Sequence, residues 1–259
     1  MNAAVLEFDG ASVDSTEDST PVVTSVNWRV DKGTSWVIGG LQGSGKSAVL
    51  EAAAGLRPLT AGTLRLFGVS LDDLPPKEAR NLRLQVGMVF EGSGRLFNDL
   101  TVLENLILPL QYHQELSSRE ATEAVLPLLE SLDLLTVANR NPGKIGYGVA
   151  KRVALARALV LRPQILLVDD PFRSLDSTQA RVMRRHLQEL NKGHAWYEGR
   201  PVTLIATAEE LRPFVNSSNQ FAIVHKHGWK TVGTREQLLS DPSEAVQELL
   251  AEHSEHAMS

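Results

Sequence analysis

Gly40-Leu41-Gln42-Gly43-Ser44-Gly45-Lys46-Ser47 constrains this chain more than any other stretch. It matches the pattern G-x-x-x-x-G-K-[ST] at every fixed position. The flanks predict a strand–loop–helix unit. Ser35-Trp36-Val37-Ile38 reads as a buried strand, and a helix is expected over residues 48–54, beginning at Ala48. In that setting glycines let backbone N–H groups curl around phosphate oxygens, and the helix N-terminus adds positive potential. Lys46 is expected on the β- and γ-phosphates and the Ser47 hydroxyl on Mg²⁺. The expected nucleotide contacts are Gly40, Leu41, Gln42, Gly43, Ser44, Gly45, Lys46, Ser47 and Ala48. A glycine-rich strand-to-helix turn without a ligand is the competing reading.

A chain of 259 residues can bury a substantial core, and 42 % hydrophobic with 22 % charged residues suits a water-soluble globular protein. The net charge of −5 argues against a nucleic-acid partner, and the lack of cysteine excludes disulfides and thiolate metal sites. No apolar run reaches the roughly 18 residues that span a bilayer. The first residues lack the basic and apolar regions of a secretory signal. A cytoplasmic location is expected, with any membrane role exercised through a partner.

Taken in order, residues 5–8 and 22–30 read as strands, separated by a polar, acidic loop over residues 14–21. Gly55-Leu56-Arg57-Pro58 stops the first helix, and residues 62–68 and 86–90 give further strands. Helical periodicity covers 102–110, 120–132 and 149–161. Residues 164–171 form an apolar run ending in Asp169-Asp170-Pro171, which suits a central parallel strand covered on both faces. A helix over 177–190, strands over 202–207 and 221–224, and a helical tail from Arg235 complete an α/β nucleotide-binding core interrupted by a helical insertion. No internal repeat is present. An aspartate closing a buried strand can hold the Mg²⁺ shell next to Ser47, although such strands also end in aspartate for structural reasons. With the phosphate loop about 120 residues earlier, Asp169 is expected to join Ser47 at the metal.

Further blocks carry a family resemblance. Val86-Gly87-Met88-Val89-Phe90, Leu96-Phe97 and Leu100-Thr101-Val102-Leu103-Glu104-Asn105 look like the Q-loop region of ABC transporter ATP-binding subunits. Arg152-Val153-Ala154-Leu155-Ala156-Arg157-Ala158-Leu159 is similar to the helix after that family's signature, and Ser174-Leu175-Asp176 sits where its D-loop belongs. Within the family the chain looks most like the ATPases of Mla-type, MCE-associated lipid transporters. The stretches that carry this are 93–100, 170–176 and 241–250. The resemblance implies an α/β P-loop NTPase, with a RecA-like core, a parallel central sheet and an antiparallel N-terminal β region, plus an ABC α-helical subdomain. The whole of 1–259 would form one ABC domain. Its core would cover about 1–92 and 162–240, its helical subdomain about 93–161 and its helical tail about 241–259. ATP and Mg²⁺ are the implied cofactors.

The departures from the family concern turnover. The glutamate expected after the motif aspartate is Asp170, one methylene or about 1.5 Å shorter. A positioned general base contributes typically ~10²–10⁴-fold, so the shortening bears on hydrolysis. The switch histidine expected after Thr207 is Ala208, and His225 and His227 read as surface residues. The Q-loop glutamine is matched by Glu91, a third expected Mg²⁺ ligand. The LSGGQ signature reads Ile145-Gly146-Tyr147-Gly148-Val149, so Gly146, Tyr147 and Gly148 occupy the position that would face the opposite subunit's nucleotide. The aromatic residue that stacks on adenine is matched by Val13-Asp14. Binding groups are thus kept and turnover groups altered, which predicts weak or absent hydrolysis at the chain's own site. An active ATPase with compensating residues is the alternative.

The implied assembly is a head-to-tail pair of ATP-binding subunits, with a paralogous second ABC ATPase expected rather than a second copy. An integral-membrane permease would hold the pair at the cytoplasmic face of the membrane, with MCE or substrate-binding components beyond it. Residues 98–110 would supply the permease-facing surface or, equally, internal core. A soluble ABC-type ATP-dependent switch and a non-hydrolysing regulatory subunit are the rival functions.

Overall fold

The computed structural model describes residues 3–15, 20–92 and 94–251. In chain order the strands and α-helices run β1 (Ala4–Asp14), β2 (Pro21–Asp31), β3 (Ser35–Gly39), α1 (Lys46–Ala53), β4 (Ala61–Leu66), β5 (Val69–Ser70) and α2 (Pro76–Arg83). Then come β6 (Val86–Val89), α3 (Val102–Gln114), α4 (Ser118–Ser131), α5 (Tyr147–Leu159), β7 (Ile165–Val168) and α6 (Ser177–Lys192). The remainder is β8 (Thr203–Ala208), β9 (Gln220–His225), β10 (Gly228–Gly233), α7 (Arg235–Ser240) and α8 (Glu244–Leu250).

The strands line up as β5-β4-β1-β2-β10-β9-β3-β8-β7-β6. From β9 to β6 every pairing is parallel, while β1, β2, β4 and β5 pair antiparallel. Strands β3, β7 and β8 are buried at every residue. That is what near-continuous apolar strands covered on both faces should show. Strand β2 instead alternates inward Val26, Trp28 and Val30 with exposed neighbours, as a one-sided antiparallel strand does. A seam joins the two halves: β10 pairs antiparallel with β9 but meets β2 through one parallel pair, Gly228 with Thr24.

Helices α3, α4 and α5 bury Leu106, Leu110, Val125, Leu128, Leu129 and Leu155 in a common core that continues into Leu166 and Val168 of β7. Two of them open on capping boxes, Thr101 with Glu104 and Ser117 with Glu120, which satisfy orphan backbone donors at each N-terminus. The helical insertion therefore sits on the sheet through its own apolar stripe.

Several elements differ from the sequence expectation. Strand β1 runs on to Asp14 and β2 starts at Pro21, so the expected loop over 14–21 is shorter; residues 16–19 lie outside the described residues. Helix α1 begins at Lys46 and α5 at Tyr147, each two residues early, because the preceding glycines complete the turn. Helix α2 was not expected: it buries only Ala79 and so has no apolar periodicity to read. The tail is two helices interrupted at Asp241-Pro242-Ser243, and it packs on its own chain. Val246 and Leu249 are buried beside Phe214 and Phe221, and Leu211 N–H donates to the Leu249 carbonyl at 2.8 Å. Residues 252–259 of the expected tail lie outside the described residues.

Candidate nucleotide-binding site

The site lies at the carboxyl ends of β3, β7 and β8, where the parallel register brings Gly39, Val168 and Ala208 to one edge. The loop after β3 depends on missing Cβ atoms. One built on Gly40 would stand 2.7 Å from the Val224 carbonyl oxygen and 2.5 Å from Ser44 Oγ. Gly45 adopts φ +103° as the N-cap of α1, a conformation side chains rarely tolerate, and sits against Val22 and Val23 of β2. The loop is thus a shell of backbone closed against β2 on one side and β9 on the other.

Lys46 is 7 % exposed, and its ammonium donates to the Gly40 and Leu41 carbonyls at 2.5 and 2.8 Å. Burial pulls its pKa below the ordinary lysine value, while Glu209, Asp170 and Asp169 pull it back. Ser47 Oγ donates to Asp169 Oδ1 at 3.1 Å, and Thr207 Oγ1 donates to the same oxygen at 2.6 Å. Asp170 N–H donates to Thr207 Oγ1 at 2.9 Å, so one hydroxyl of β8 locks both carboxylate residues that follow β7.

These residues fit a phosphate and a hard cation. Ser44 Oγ is buried without a hydrogen-bond partner inside the loop, an orphan that a phosphate oxygen would satisfy. Ser47 and Asp169 present a hydroxyl and a carboxylate at one point, the oxygen donors Mg²⁺ prefers. Bound there, Mg²⁺ would neutralise phosphate charge as a Lewis acid. The Glu91 carboxylate is paired with Arg173 at 2.9 Å.

Asp170 stands at φ +43°, and burial raises its carboxyl to about 6, partly opposed by the charges of Lys151, Arg173 and Lys46. Lys151, on α5, is 3 % exposed and donates to the Asp170 and Arg173 carbonyls at 2.9 and 3.0 Å. It ties the turn after β7 to the helix that carries Gly146, Tyr147 and Gly148. Gly146 is the N-cap of that helix and makes no side-chain cap; the Tyr147 ring lies 5.5 Å from the Lys151 ammonium. Gly148 is held against α6, because a Cβ there would come within 2.6 Å of the Gln179 side chain.

Lys151, Arg173, Thr207 and Glu209 were not read as site residues from sequence. Lys151 carried a signal: it is a cation on the apolar face of a helix whose neighbours Ala150, Val153 and Ala154 are buried. His227 is exposed and His225 half-buried; both follow the carboxyl end of β9, the end of the sheet that carries the phosphate loop, and His227 Nδ1 lies 3.1 Å from the carbonyl oxygen of Val22, a neighbour of Gly45. Val13 is fully buried in β1 and offers no ring to a base.

A second concavity, about 340 Å³, opens between the sheet edge and the helical insertion, lined among others by Arg83, Met88, Phe97, Leu108, Arg157 and Leu161. Residues 98–110 divide by face. Val102, Leu106 and Leu110 belong to the core, whereas Leu108 is 39 % exposed; Phe97, just before this stretch, is 53 % exposed. Ser93, in one of the stretches compared with lipid-transport ATPases, lies outside the described residues.

A family model described as ABC transporter matches residues 23–173. The chain is 30 % identical over 239 residues to the sulfate/thiosulfate import ATP-binding protein CysA of Photorhabdus laumondii, covering 90 % of this chain and 62 % of that one. It is 28 % identical over 234 residues to the intermembrane phospholipid transport system ATP-binding protein MlaF of Haemophilus influenzae, covering 90 % and 86 %. The methionine import ATP-binding protein MetN of Clostridioides difficile is equally similar, at 28 % over 233 residues, covering 90 % and 70 %. Among solved structures, a dimeric ATP-binding cassette in a post-hydrolysis state with ADP and Pi superposes with TM-score 0.75 at 26 % identity, covering 87 % of this chain and 98 % of that chain. CbiO1 from Clostridium perfringens shares the fold, with TM-score 0.77 at 18 % identity and 96 % and 93 % coverage.

Proposed function

We propose a function from one premise: the chain belongs to the ABC transporter family. The reading is an ATP-binding subunit that holds MgATP and drives or gates a membrane permease. One observation carries it: Lys46 enclosed in its loop, with Ser47 and Asp169 converging at 3.1 Å beside it. Gly40 to Ala48 wrap the phosphates, and Ser47 with Asp169 hold Mg²⁺.

Own-site turnover is proposed to be weak. Asp170 is the group placed to orient water, and burial leaves a share of it protonated near neutral pH. Glu91 is paired with Arg173, Ala208 offers no donor, and Tyr147 fills the position of a bare glycine. A partner ATPase with the missing groups would complete the assembly, and a paralogue serves better than a second copy because a copy repeats every alteration. The groove holding Phe97 and Leu108 is the proposed permease contact, which would place the chain at the cytoplasmic face. No helix among the described residues is long and apolar enough to cross a membrane.

A lipid substrate of the Mla type, with MCE components, is the finer proposal. It draws on the stretches 93–100, 170–176 and 241–250 and on the likeness to MlaF. The sulfate/thiosulfate and methionine relatives are as similar, so the substrate is decided by transport assay with the co-purifying permease.

Calorimetric titration of the full chain with MgATP, followed by phosphate-release assays on the chain alone and with its partners, tests the core reading. Binding that Lys46→Ala weakens at least about tenfold is expected, with slow turnover by the chain alone. Brisk turnover by the isolated chain, abolished by Lys46→Ala, would overturn the weak-site reading but leave the ATP-binding one intact.

A further inference from the structure

We propose that Arg173 is the cation that reads the terminal phosphate of the nucleotide, on the side of the site where Ala208 leaves no side-chain donor. The inference rests on the nucleotide-binding reading above and adds to it a residue that discriminates triphosphate from diphosphate.

Arg173 is built into place. The turn that carries it is bent by left-handed backbone at Asp170 (φ +43°) and Ser174 (φ +60°). The buried Lys151 ammonium grips the turn at the Asp170 and Arg173 carbonyls, fixing the start of the side chain to α5. The guanidinium then reaches across to Glu91 at 2.9 Å and Glu209 at 3.0 Å, both through Nη1. A guanidinium carries five N–H donors in a planar fork, so one engaged nitrogen leaves donors for a further anion.

What surrounds it points to that anion. A cavity of about 370 Å³ is lined by Asp170, Arg173, Ala208 and Glu209 on one side and by residues that include Phe172 and Phe214 on the other. Its inner wall is the carboxyl end of β8, next to the residue whose hydroxyl holds Asp169. Gly40 N–H donates to the Ala208 carbonyl at 3.2 Å, so the wall of the cavity is tied directly to the first residue of the phosphate loop. Asp169, Asp170, Glu91 and Glu209 crowd four carboxylates into this corner. An incoming terminal phosphate therefore needs a cation beyond Lys46 and the metal, and Arg173 lines the cavity beside Ala208. A diphosphate stops short of it.

Glu209 gains a role from the same geometry. It neutralises Arg173 while no phosphate is present and competes with one that arrives. Arg173 is one-third exposed, so its side chain can change partners without unpacking a core.

The test is titration of the full chain with a non-hydrolysable MgATP analogue and, separately, with MgADP, for wild type, Arg173→Ala, Arg173→Lys and Glu209→Ala, with thermal melts on each. Arg173→Ala should weaken the triphosphate analogue about 10–100-fold and MgADP less than twofold. Arg173→Lys should recover part of the loss, and Glu209→Ala should tighten the triphosphate only. An equal loss for both nucleotides, or no loss, overturns the proposal while leaving the nucleotide-binding reading standing. Wild-type chain that binds neither nucleotide overturns both. Should Arg173→Ala fail to fold, Glu209→Ala decides alone: tighter triphosphate binding supports the proposal, and unchanged or weaker binding overturns it.

Discussion

Asp170 shows how one side chain can set the energetics of an empty site. Its folded-state pKa, about 6 against an ordinary 3.8, comes first from burial. The folded chain holds that proton more tightly than the unfolded one. Its contribution to stability is therefore fully present below about pH 4 and is lost as pH rises through about 6. Asp170→Asn, which cannot ionise, should melt above wild type at pH 7.5 by roughly 2–4 °C without nucleotide, and the gap should close at pH 4.5. Asparagine also tolerates the left-handed backbone at this position, but that benefit is independent of pH. Equal gaps at both pH values would assign the effect to backbone conformation alone. At this scale the motif residues were legible because phosphate chemistry fixes their spacing. Arg173 and Glu209 were not legible, since they meet only when the turns after β7 and β8 are folded side by side.

Helix α3 illustrates how an element positions a surface. Asn105 is fully buried, accepts from Phe97 N–H at 2.9 Å, and donates to the Phe97, Leu100 and Thr101 carbonyls at 3.0, 3.4 and 2.9 Å. It therefore folds the loop that presents Phe97 onto the first turn of the helix. Asn105→Ala should cost about 2–3 kcal/mol through backbone groups left unpaired, lowering Tm by roughly 4–10 °C. A chemical melt showing a change below 1 kcal/mol would mean that water replaces these bonds. The sequence pattern gave α3 and α4 because their apolar residues recur at helical spacing. It missed α2, whose core side is only Ala79 and Leu82, and β10, whose apolar content is Trp229 and Val232 alone. The tail helix α8 is a case of chemistry too local to read: Asp241, held near a pKa of about 2 first by Lys230 and then by Ser243, breaks the helical run and turns α8 back onto the sheet. Leu249→Ala should cost about 2–3 kcal/mol in equilibrium unfolding, as burial in the chain's own core implies. A cost near zero would mean that α8 frays from the sheet in solution.

At the scale of the whole molecule, the parallel half of the sheet carries the chemistry and the antiparallel half braces it. Their backbone ladder narrows at Gly228 and Thr24, supplemented by Thr24 N–H donating to the His227 carbonyl at 2.8 Å, while Leu6, Phe8 and Trp28 of one half share an apolar core with Trp36, Ile38 and Ile205 of the other. A sheet with so few rungs at its midpoint is two plates held together by side-chain packing more than by backbone bonds. Stability in proteins is distributed over cooperative units, and units joined by few backbone bonds open independently. Amide exchange should accordingly report two protection levels, with β1, β2 and β4 opening apart from β3, β7 and β8. The plates also touch where Val22 and Val23 lie on Gly45. Filling the phosphate loop stiffens Gly45 and with it that second contact, so nucleotide should slow exchange in β2 more than in β4. The bracing plate would then act as a clutch that the ligand engages.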